Sequence, residues 1–536
     1  MDTPVLIVGA GPVGLTLALD LGRRGIRCTL IEQKAEPHMW PKMERCNARS
    51  MEFYRRMGIS GKIRAAGLPS HVSMDVFIVT SLIEPPLLHL PYLSVDEARK
   101  EIAETNDGTL PLEPYQLISQ YTLEPLLKSV VETLPSVTVR YGCEFLSFEQ
   151  DANSVTATVN EGGQTKTITA QYMVGCDGGA SNVRKQLDIK LTGEGNILRL
   201  RQALYHCEEL FDRIPIGKGR HYHRADAQST QLIVQDSTKH FTVHSVVEKD
   251  EDMKTVFEET IAMPLKYEML YVGEWRQNLL VADRYGDGRV LLAGDAVHLV
   301  IPTGGLGMNT GVGDAIDLGW KLAGTLQGWG GPKLLASYEA DRHPIGVRNV
   351  GASRYASLGR RKWRAAYTPA VREKGPAGDA ARAHLASLAN VEQRKTNEMI
   401  GAELGYCYHN SPIVVSEPGD GPQDEYTSYV PTTWPGARLP HVWLKGNVAV
   451  QDLIGNGYTL LRVGPAATGD VSALTRAFAA IGAPFATLDI PDQVARDIYG
   501  YDYLLLRPDM HVAWRGQQPP ENPERLAAIA TGHNTR

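Results

Sequence analysis

Three glycines and one acid near the start of the chain have the spacing of a nucleotide site. An apolar run, Val5-Leu-Ile-Val8, stands directly before the glycines, and a second apolar run ends at Glu32. Glycines at this spacing allow a tight turn and a close approach of backbone to a pyrophosphate, which the next helix N-terminus stabilises. An acid about 20 residues further on binds the adenosine ribose. The pattern therefore predicts FAD or NAD rather than NADP, held by Gly9, Gly11, Pro12, Val13, Gly14, Glu32 and Gln33.

A second glycine-rich stretch, far downstream, chooses between these two nucleotides. Gly294 and Asp295 follow an apolar run, and the Asp295 carboxylate is placed to bond ribitol hydroxyls. Bare backbone N–H groups over 304–309 then lead into a helix whose N-terminus stabilises negative charge, such as the charge on a reduced isoalloxazine. NAD has no use for this second element. The sequence thus predicts FAD, with further contacts from Gly294, Asp295, Pro302, Gly305, Gly307, Met308 and Asn309.

With these motifs in order, the chain resembles the FAD-dependent aromatic hydroxylases, the single-component flavoprotein monooxygenases related to phenol hydroxylase and p-hydroxybenzoate hydroxylase. The resemblance covers roughly residues 1–350 and includes Gly175-Cys-Asp177-Gly178 and Ser119-Gln120. It implies that Gln120, Asp177 and Gly178 contact the flavin. It also implies NADPH or NADH as electron donor, O2 as co-substrate, and a flavin C4a-hydroperoxide that hydroxylates an aromatic ring.

The sequence offers five candidate residues for activating the substrate. The resemblance places Glu44 and Arg45 where the phenol hydroxylase branch carries an acidic residue near the substrate; a surface pair or an FAD contact is an equal alternative. Tyr222 and Tyr271 fall in expected strands of the substrate region, although core packing is the commoner role of such a tyrosine. Pro302 is expected to orient the backbone at the flavin edge. We therefore expect the catalytic residues among these five.

Three histidines are weaker candidates. His221 and His223 share a face if they lie on one strand, but a metal site would need further ligands, and none is apparent. His298 is expected to pack beside the flavin rather than to act as a base. We predict no metal site.

These motifs must be positioned by an α/β fold. We expect a Rossmann-like FAD-binding domain of the glutathione-reductase type over 1–75, 108–189 and 283–365, interrupted by a mixed β-sheet substrate domain. Residues 190–282 alternate in polarity as an antiparallel sheet does. Residues 76–107 contain prolines and an acidic helical run, and we assign them to the same substrate domain.

The last part of the chain forms a separate unit. Alanine and arginine at helical spacing predict helices over 330–410, and proline and glycine over 411–435 indicate a linker, so 366–435 is a helical segment and linker. Residues 436–536 resemble the thioredoxin-like C-terminal domain of the phenol hydroxylase branch. This part has no cysteine, which excludes dithiol chemistry and leaves a role in covering the flavin domain or in a homodimer surface.

The composition limits the kinds of molecule that this protein is expected to bind. A net charge of −6 argues against nucleic acid or an anionic membrane, and no run of about 18 apolar residues predicts a membrane span. The six cysteines are scattered, and the first strand follows the N-terminus at once, so we expect a reduced, cytoplasmic enzyme. The expected partner is a small aromatic molecule.

Three function classes compete. The first is an NAD(P)H-dependent hydroxylase of a phenolic or polycyclic aromatic. The second is an epoxidase, a Baeyer–Villiger oxygenase or a dehydrogenase on the same fold. The third, a flavin-binding module without turnover, is disfavoured by the complete substrate region. The sequence favours the first class.

Overall fold

The computed structural model describes residues 1–37 and 41–533. The helices are, in chain order, α1 Pro12–Arg23, α2 Ala48–Arg56, α3 Ser60–Ala66, α4 Val95–Glu104, α5 Gln120–Val131, α6 Asn182–Gln186, α7 Leu210–Arg213, α8 Asp252–Ile261, α9 Gly307–Leu326, α10 Pro332–Arg364, α11 Pro376–Glu392, α12 Arg394–Asn397, α13 Ile400–Leu404, α14 Val450–Leu453, α15 Ser472–Ile481, α16 Gln493–Tyr499 and α17 Pro523–Ala530.

The strands are β1 Thr3–Val8, β2 Cys28–Glu32, β3 Arg45–Cys46, β4 Val76–Val79, β5 Leu88–Leu90, β6 Gln116–Leu117, β7 Val137–Tyr141, β8 Cys143–Gln150, β9 Val155–Glu161, β10 Gln164–Gly175, β11 Leu191–His206, β12 His221–Arg224, β13 Gln231–Val234, β14 His240–Ser245, β15 Glu268–Ala282, β16 Gly286–Asp287, β17 Val290–Leu292, β18 His298–Leu299, β19 Trp443–Leu444, β20 Val448–Ala449, β21 Tyr458–Val463, β22 Phe485–Ile490, β23 Tyr503–Leu506 and β24 Val512–Gly516.

The first sheet brings the three sequence motifs to one edge. Its order is β16-β17-β10-β1-β2-β7, and β17, β10, β1, β2 and β7 run parallel. The register aligns the last residues of three neighbouring strands, Val8, Gly175 and Leu292. Because parallel strands end at the same edge, the segments after β1, β10 and β17 lie side by side, where ligands of such sheets bind.

The apolar residues of β1 are those of a strand that is buried on both faces of the sheet. Val5, Leu6 and Ile7 have no exposed surface. Strands buried on both faces read as continuous apolar runs in parallel sheets. Helices α1 and α9 pack together and α5 packs against α1, which gives the Rossmann-like arrangement predicted from the sequence.

The second sheet has the order β18-β15-β11-β14-β13-β12-β4-β5 and is mostly antiparallel. It takes strands from both segments assigned to the substrate region and adds β18. The prolines of 76–107 stand outside β4, which is completely buried and pairs in parallel with β12. The acidic run forms the helix α4, as expected, and Ser94 caps this helix together with Glu97.

The C-terminal part contains a four-stranded sheet of order β22-β21-β23-β24. β21 and β22 are parallel, and β23 is antiparallel to both of its neighbours. With α15 and α16 between the strands and α17 after them, this is the thioredoxin-like arrangement predicted from the sequence.

Buried ion pairs attach this sheet to the first one. Arg507, at the end of β23, lies 2.6 Å from an Asp317 carboxylate oxygen on α9 and 2.8 Å from Asp341 on α10. Arg438 likewise donates from Nε to the Glu52 carboxylate of α2 at 2.8 Å. The C-terminal part therefore packs on the helices that cover the first sheet.

Within the described ranges, no helix is both long enough and apolar enough to cross a membrane.

Candidate active site

One large cavity, of about 920 Å³, joins the carboxyl edge of the first sheet to one face of the second sheet. Most of the predicted cofactor residues line it: Gly9, Gly11, Pro12, Val13, Glu32, Gln33, Arg45, Gln120, Asp177, Gly178, Asp295, Pro302, Gly305, Gly307, Met308 and Asn309. Gly14 and Gly294 do not line it, but both pack against residues that do, namely Gly9 and Val13. We name the part at the first sheet the cofactor end and the part at the second sheet the substrate end.

The glycine turn after β1 has no room for side chains. Gly9 has a φ of +104°, and a Cβ there would lie 2.5 Å from the Cys176 carbonyl oxygen. A Cβ on Gly14 would lie 2.0 Å from the Gly9 carbonyl oxygen. The turn can therefore hold α1 close behind it and leave backbone facing the cavity, as phosphate binding requires.

Glu32 is fixed in place by backbone N–H groups. Its Oε2 accepts a hydrogen bond from Ala10 N at 3.0 Å, and its Oε1 accepts from Lys34 N at 3.1 Å. The acid is thus held at the glycine turn, where an adenosine ribose would lie.

The segment after β17 is fixed by a residue that our sequence analysis did not select. Asp314, buried in α9, accepts from Gly294 N at 3.0 Å and bonds His298 Nε2 at 2.8 Å. Its other oxygen accepts from Arg342 Nε at 2.8 Å. The available signal was an acid among the small and apolar residues of the first half of α9. These bonds hold the 3₁₀ turn Gly294–Ala296, which leaves Asp295 exposed to the cavity.

Two aspartates face the cavity at this edge. The cavity walls desolvate the Asp295 carboxyl group and raise its pKa above the ordinary aspartate value. Burial likewise raises the pKa of Asp177, whose Oδ2 accepts from Val183 N at 3.1 Å. Asp177 Oδ1 is buried and has no hydrogen-bond partner among residues 1–37 and 41–533. An acceptor left open in this way fits a ligand that carries hydroxyl or N–H donors.

A turn of bare backbone precedes α9. Gly304 and Gly305 have φ values of +90° and +65°, and Gly305 N donates to the Pro302 carbonyl oxygen at 2.8 Å. The 20-residue helix α9 begins at Gly307. Its N-terminus opens on the cavity, so a flavin with its negative pyrimidine side here would be stabilised. The cofactor end as a whole fits FAD.

Arg45 supports this turn instead of pairing with Glu44. It is 4% exposed, and its Nη2 donates to the Gly304 carbonyl oxygen at 2.6 Å and to Glu403 Oε1 at 3.1 Å. Asn309 bonds the same region, donating to the carbonyl oxygens of Arg45 at 3.2 Å and Gly305 at 2.6 Å. The alternative of a surface pair between Glu44 and Arg45 is therefore wrong, because Arg45 is buried against the flavin-side turn.

Glu44 instead meets His221 at the substrate end, with 2.9 Å between Glu44 Oε2 and His221 Nε2. Burial alone raises the pKa of Glu44, but His221, Arg220 and Arg45 outweigh it and lower the value to about 2. Burial lowers the pKa of His221, against the effect of Glu44, so the imidazole is neutral at pH 7. The pair therefore consists of a carboxylate that accepts from a neutral Nε2–H.

Two of the predicted catalytic side chains lie outside the cavity. Tyr222 alternates with His221 along β12, so it points into the core of the second sheet, where its hydroxyl donates to the Gly217 carbonyl oxygen at 2.9 Å. Tyr271 lies on β15, opposite Leu204 of β11, and is not among the cavity-lining residues. Neither placement supports contact with a substrate.

Two of the three histidines lie as the sequence predicted, and the third does not. His221 and His223 do share a face, with ring centroids 5.8 Å apart. His298 is fully buried at Asp314 and does not line the cavity. In the part of the chain that is described, no cluster of three or more metal-ligating side chains occurs.

Most residues of the substrate end were not predicted from the sequence. Its walls include Leu198, Leu200, Ile233, Thr242 and Trp275 from four strands, and Arg220, Arg360 and Arg364. The arginines at 360 and 364 belong to α10, which we had interpreted only as a helix.

Comparisons with known proteins agree with this geometry. A family model described as an FAD binding domain matches residues 2–353, and one described as the C-terminal domain of aromatic-ring hydroxylases matches residues 432–532. The FAD-dependent monooxygenase apdD of Emericella nidulans is 31% identical, over 99% of this chain and 90% of its own. The 4-methyl-5-nitrocatechol 5-monooxygenase of a Burkholderia species is 30% identical, over 98% and 96%.

A solved structure of the rebeccamycin biosynthetic enzyme RebC with reduced flavin is 32% identical and superposes with a TM-score of 0.90, over 100% of this chain and 99% of that one. Two family models in the predicted order, relatives that match along nearly the whole chain, and a cavity shaped for FAD lead to one assignment. The chain belongs to the family of FAD-dependent aromatic-ring hydroxylases.

Proposed function

We propose that this enzyme uses NADPH or NADH and O2 to hydroxylate a phenolic or polycyclic aromatic substrate. The observation that carries the proposal is the continuity of the cavity: the backbone cradle for FAD opens directly onto a chamber that contains the Glu44–His221 pair. A ring bound in that chamber lies between the flavin edge and a group that can accept a proton.

Bound FAD would supply the redox chemistry by the C4a route expected from the sequence, in which two electrons from the nicotinamide nucleotide reduce O2 so that one oxygen atom is added to the ring and the other is released as water. The turn at 304–309 and the N-terminus of α9 would hold the flavin ring and stabilise negative charge on it. The apolar walls of β11 and β13 exclude water from the reacting centre.

The Glu44–His221 pair would activate the substrate hydroxyl. A phenol has a pKa of about 10, so it becomes electron-rich only when its proton is shared or removed. The ionised Glu44 keeps Nε2 of the imidazole protonated and stabilises the imidazolium that forms if His221 takes the proton. His221 then acts as the base and Glu44 orients it.

A turnover assay tests the proposal directly. NADPH and NADH oxidation are followed on the holoenzyme with a panel of one- to four-ring phenols, while peroxide and organic products are quantified. We expect at least one phenol to stimulate nucleotide oxidation and to gain one hydroxyl group. Oxygen insertion into a ketone or an alkene would favour the Baeyer–Villiger or epoxidase alternative, and flavin reduction by the organic substrate would favour a dehydrogenase. Absence of nucleotide oxidation with every ligand would contradict turnover itself.

Two further properties belong to the same proposal. The charge and cysteine pattern support a cytoplasmic enzyme, and the C-terminal unit offers a surface for a homodimer. Sedimentation of the purified holoenzyme at several concentrations measures the oligomeric state.

A further inference from the structure

Three arginines converge on the substrate end of the cavity. Arg220 immediately precedes β12, and Arg360 and Arg364 lie one turn apart in α10; all three line the cavity. Arg220 is 3% exposed and stacks over the Tyr115 ring, 5.4 Å from its centroid. Residues four apart on a helix project from the same face, so Arg360 and Arg364 present their side chains together.

Within the described residues, none of these arginines forms an ion pair with a carboxylate, although Glu44 is close enough to Arg220 and Arg360 to influence their charges. Arg360 Nη1 donates to the Gln231 amide oxygen at 2.9 Å, and Arg364 Nη2 contacts the Thr230 carbonyl oxygen at 3.1 Å and His223 Nδ1 at 3.3 Å. Throughout the described ranges, no Asp or Glu oxygen lies within 4.0 Å of any of the three guanidinium groups. The two nearest acids are already engaged, since Glu44 bonds His221 and Asp226 pairs with Arg224.

Several donors at this place are unused. Among the guanidinium and amide nitrogens that line this part of the cavity, five are buried and have no hydrogen-bond partner within the described residues: Arg220 Nε, Arg360 Nε, Arg364 Nε, Arg364 Nη1 and Asn397 Nδ2. All of these groups donate, and none can accept while its side chain is in the ordinary form. Native proteins leave few buried donors unpaired, so their concentration in one wall points to a missing acceptor.

Other buried arginines in this molecule do have carboxylate partners. Arg342 pairs with Asp314 at 2.8 Å, and Arg507 pairs with Asp317 at 2.6 Å. At the substrate end, burial and the charge of Arg220 lower the pKa of Arg360 to about 10, against the opposing effect of Glu44. Burial and the charge of Arg360 lower the pKa of Arg364 to about 9, against the opposing effect of Asp226. A buried charge without a directly bonded counter-ion is unfavourable, and an anionic ligand would relieve it.

We propose that the substrate is an aromatic acid whose carboxylate binds Arg360 and Arg364, with Asn397 and Arg220 as further donors. This inference rests on the proposed function for the position of the ring, between this carboxylate site and the flavin. Guanidinium groups bind carboxylates in a two-pronged, charge-assisted geometry, which fixes the ring as well as attracting it. A phosphate group of the nicotinamide nucleotide carries the same kind of negatively charged oxygen. We favour the substrate carboxylate because Arg360 and Arg364 bond residues in or next to strands β12 and β13, which belong to the substrate end.

The experiment measures binding without turnover. Flavin absorbance changes in the oxidised holoenzyme report dissociation constants for matched acid and amide pairs, such as 3-hydroxy-2-naphthoate and 3-hydroxy-2-naphthamide, within a panel of one- to four-ring aromatic acids. We expect at least one acid to bind about tenfold or more tightly than its amide, a difference typical of one retained charge-assisted contact. If no acid in the panel binds more tightly than its amide, the proposal is overturned.

Variants test which residues cause the preference for the acid over its amide. Arg360→Gln and Arg364→Gln should each weaken acid binding about tenfold or more and change amide binding little, because only the acid carries the charge. Arg364→Lys keeps the charge and should retain part of the preference, which separates an electrostatic role from misfolding. Arg354→Gln removes a charge from the same helix outside the cavity and is the control; FAD content and melting temperature are compared throughout.

Two comparisons complete the experiment. The first distinguishes a substrate carboxylate from a nucleotide phosphate as the anion at this site. The second distinguishes failure of this proposal from failure of the proposed function. If Arg364→Gln raises the KM for NADPH but leaves acid binding unchanged, the site holds a nucleotide phosphate and the proposal is wrong. Failure of the proposed function would appear as absent hydroxylation in the turnover assay. The acid preference and its loss in the variants are measured before any nucleotide is added, so they stand or fall separately.

Discussion

The two ends of the cavity are built from different parts of the polypeptide. The cofactor end consists largely of backbone: glycine turns after β1 and before α9, and the 3₁₀ turn after β17. The substrate end consists of side chains that come from β11 to β15, α10 and α12. Backbone sites recognise a constant group such as a pyrophosphate, whereas side-chain walls can change without loss of the fold. The difference predicts intolerance at one end and adjustable specificity at the other.

The largest effect is expected for Gly9→Ala. The added Cβ would lie 2.5 Å from the Cys176 carbonyl oxygen at a φ of +104°, so the turn that faces the pyrophosphate must move. We expect purified protein without bound flavin, measured by its visible absorbance. Gly25→Ala is the control, because Gly25 also has a positive φ, +74°, but has open space around its Cβ position. A yellow Gly9→Ala variant with unchanged FAD affinity would contradict the backbone character of this end.

Asp295→Ala should weaken FAD retention without unfolding the protein. The side chain faces the cavity and is not part of the Asp314 bonds that hold its turn, so only the contact with the cofactor is lost. We expect a rise in the FAD dissociation constant of about tenfold to a hundredfold, equivalent to roughly 1.4–2.8 kcal/mol. Asp287→Ala, an exposed carboxylate, is the matched control. A variant that stays fully yellow after gel filtration would count against the role of Asp295.

Glu44→Gln tests the substrate end while leaving the cofactor end intact. Because Glu44 raises the pKa of His221, its removal should lower that pKa, move the acid limb of kcat to lower pH and reduce the plateau about a hundredfold. The variant's rate should then rise toward pH 10, where the substrate phenol ionises by itself. His221→Asn should share the loss of rate. The measurement is the pH profile of kcat, with FAD content as the control. An unchanged profile would show that the Glu44–His221 pair takes no part in the reaction.

The smallest effect on function is expected for Tyr222→Phe. The hydroxyl is buried on the opposite face of β12 from His221, donates to the Gly217 carbonyl oxygen and accepts from Gly219 N at 3.0 Å. Loss of both hydrogen bonds should cost about 2 kcal/mol in the free energy of unfolding, roughly 1 kcal/mol for each bond, and leave kcat unchanged. Thermal denaturation and steady-state turnover measure the two quantities. A large fall in kcat would return Tyr222 to the list of substrate contacts.

The cofactor end was predictable because its motifs are local. A strand, a glycine turn and a helix start occur within a few residues, and the same holds at 294–309, so spacing alone identifies them. Arg45 shows where locality misleads: a surface pair with its neighbour Glu44 was one alternative, but its side chain bonds Gly304 and Glu403. Glu403 and Gly304 are distant along the chain, and no spacing rule relates them.

By itself, the sequence determined the fold class, the FAD cradle and the order of the motifs, because each depends on short-range backbone requirements. Only the tertiary structure decided what faces the substrate. It brought Glu44 to His221, turned Tyr222 into the core, and placed Arg360 and Arg364 in a cavity wall where neither forms an ion pair with any described residue. Side chains from separate elements become neighbours only through packing of the second sheet against α10 and α12, and that packing has no local signature in the chain.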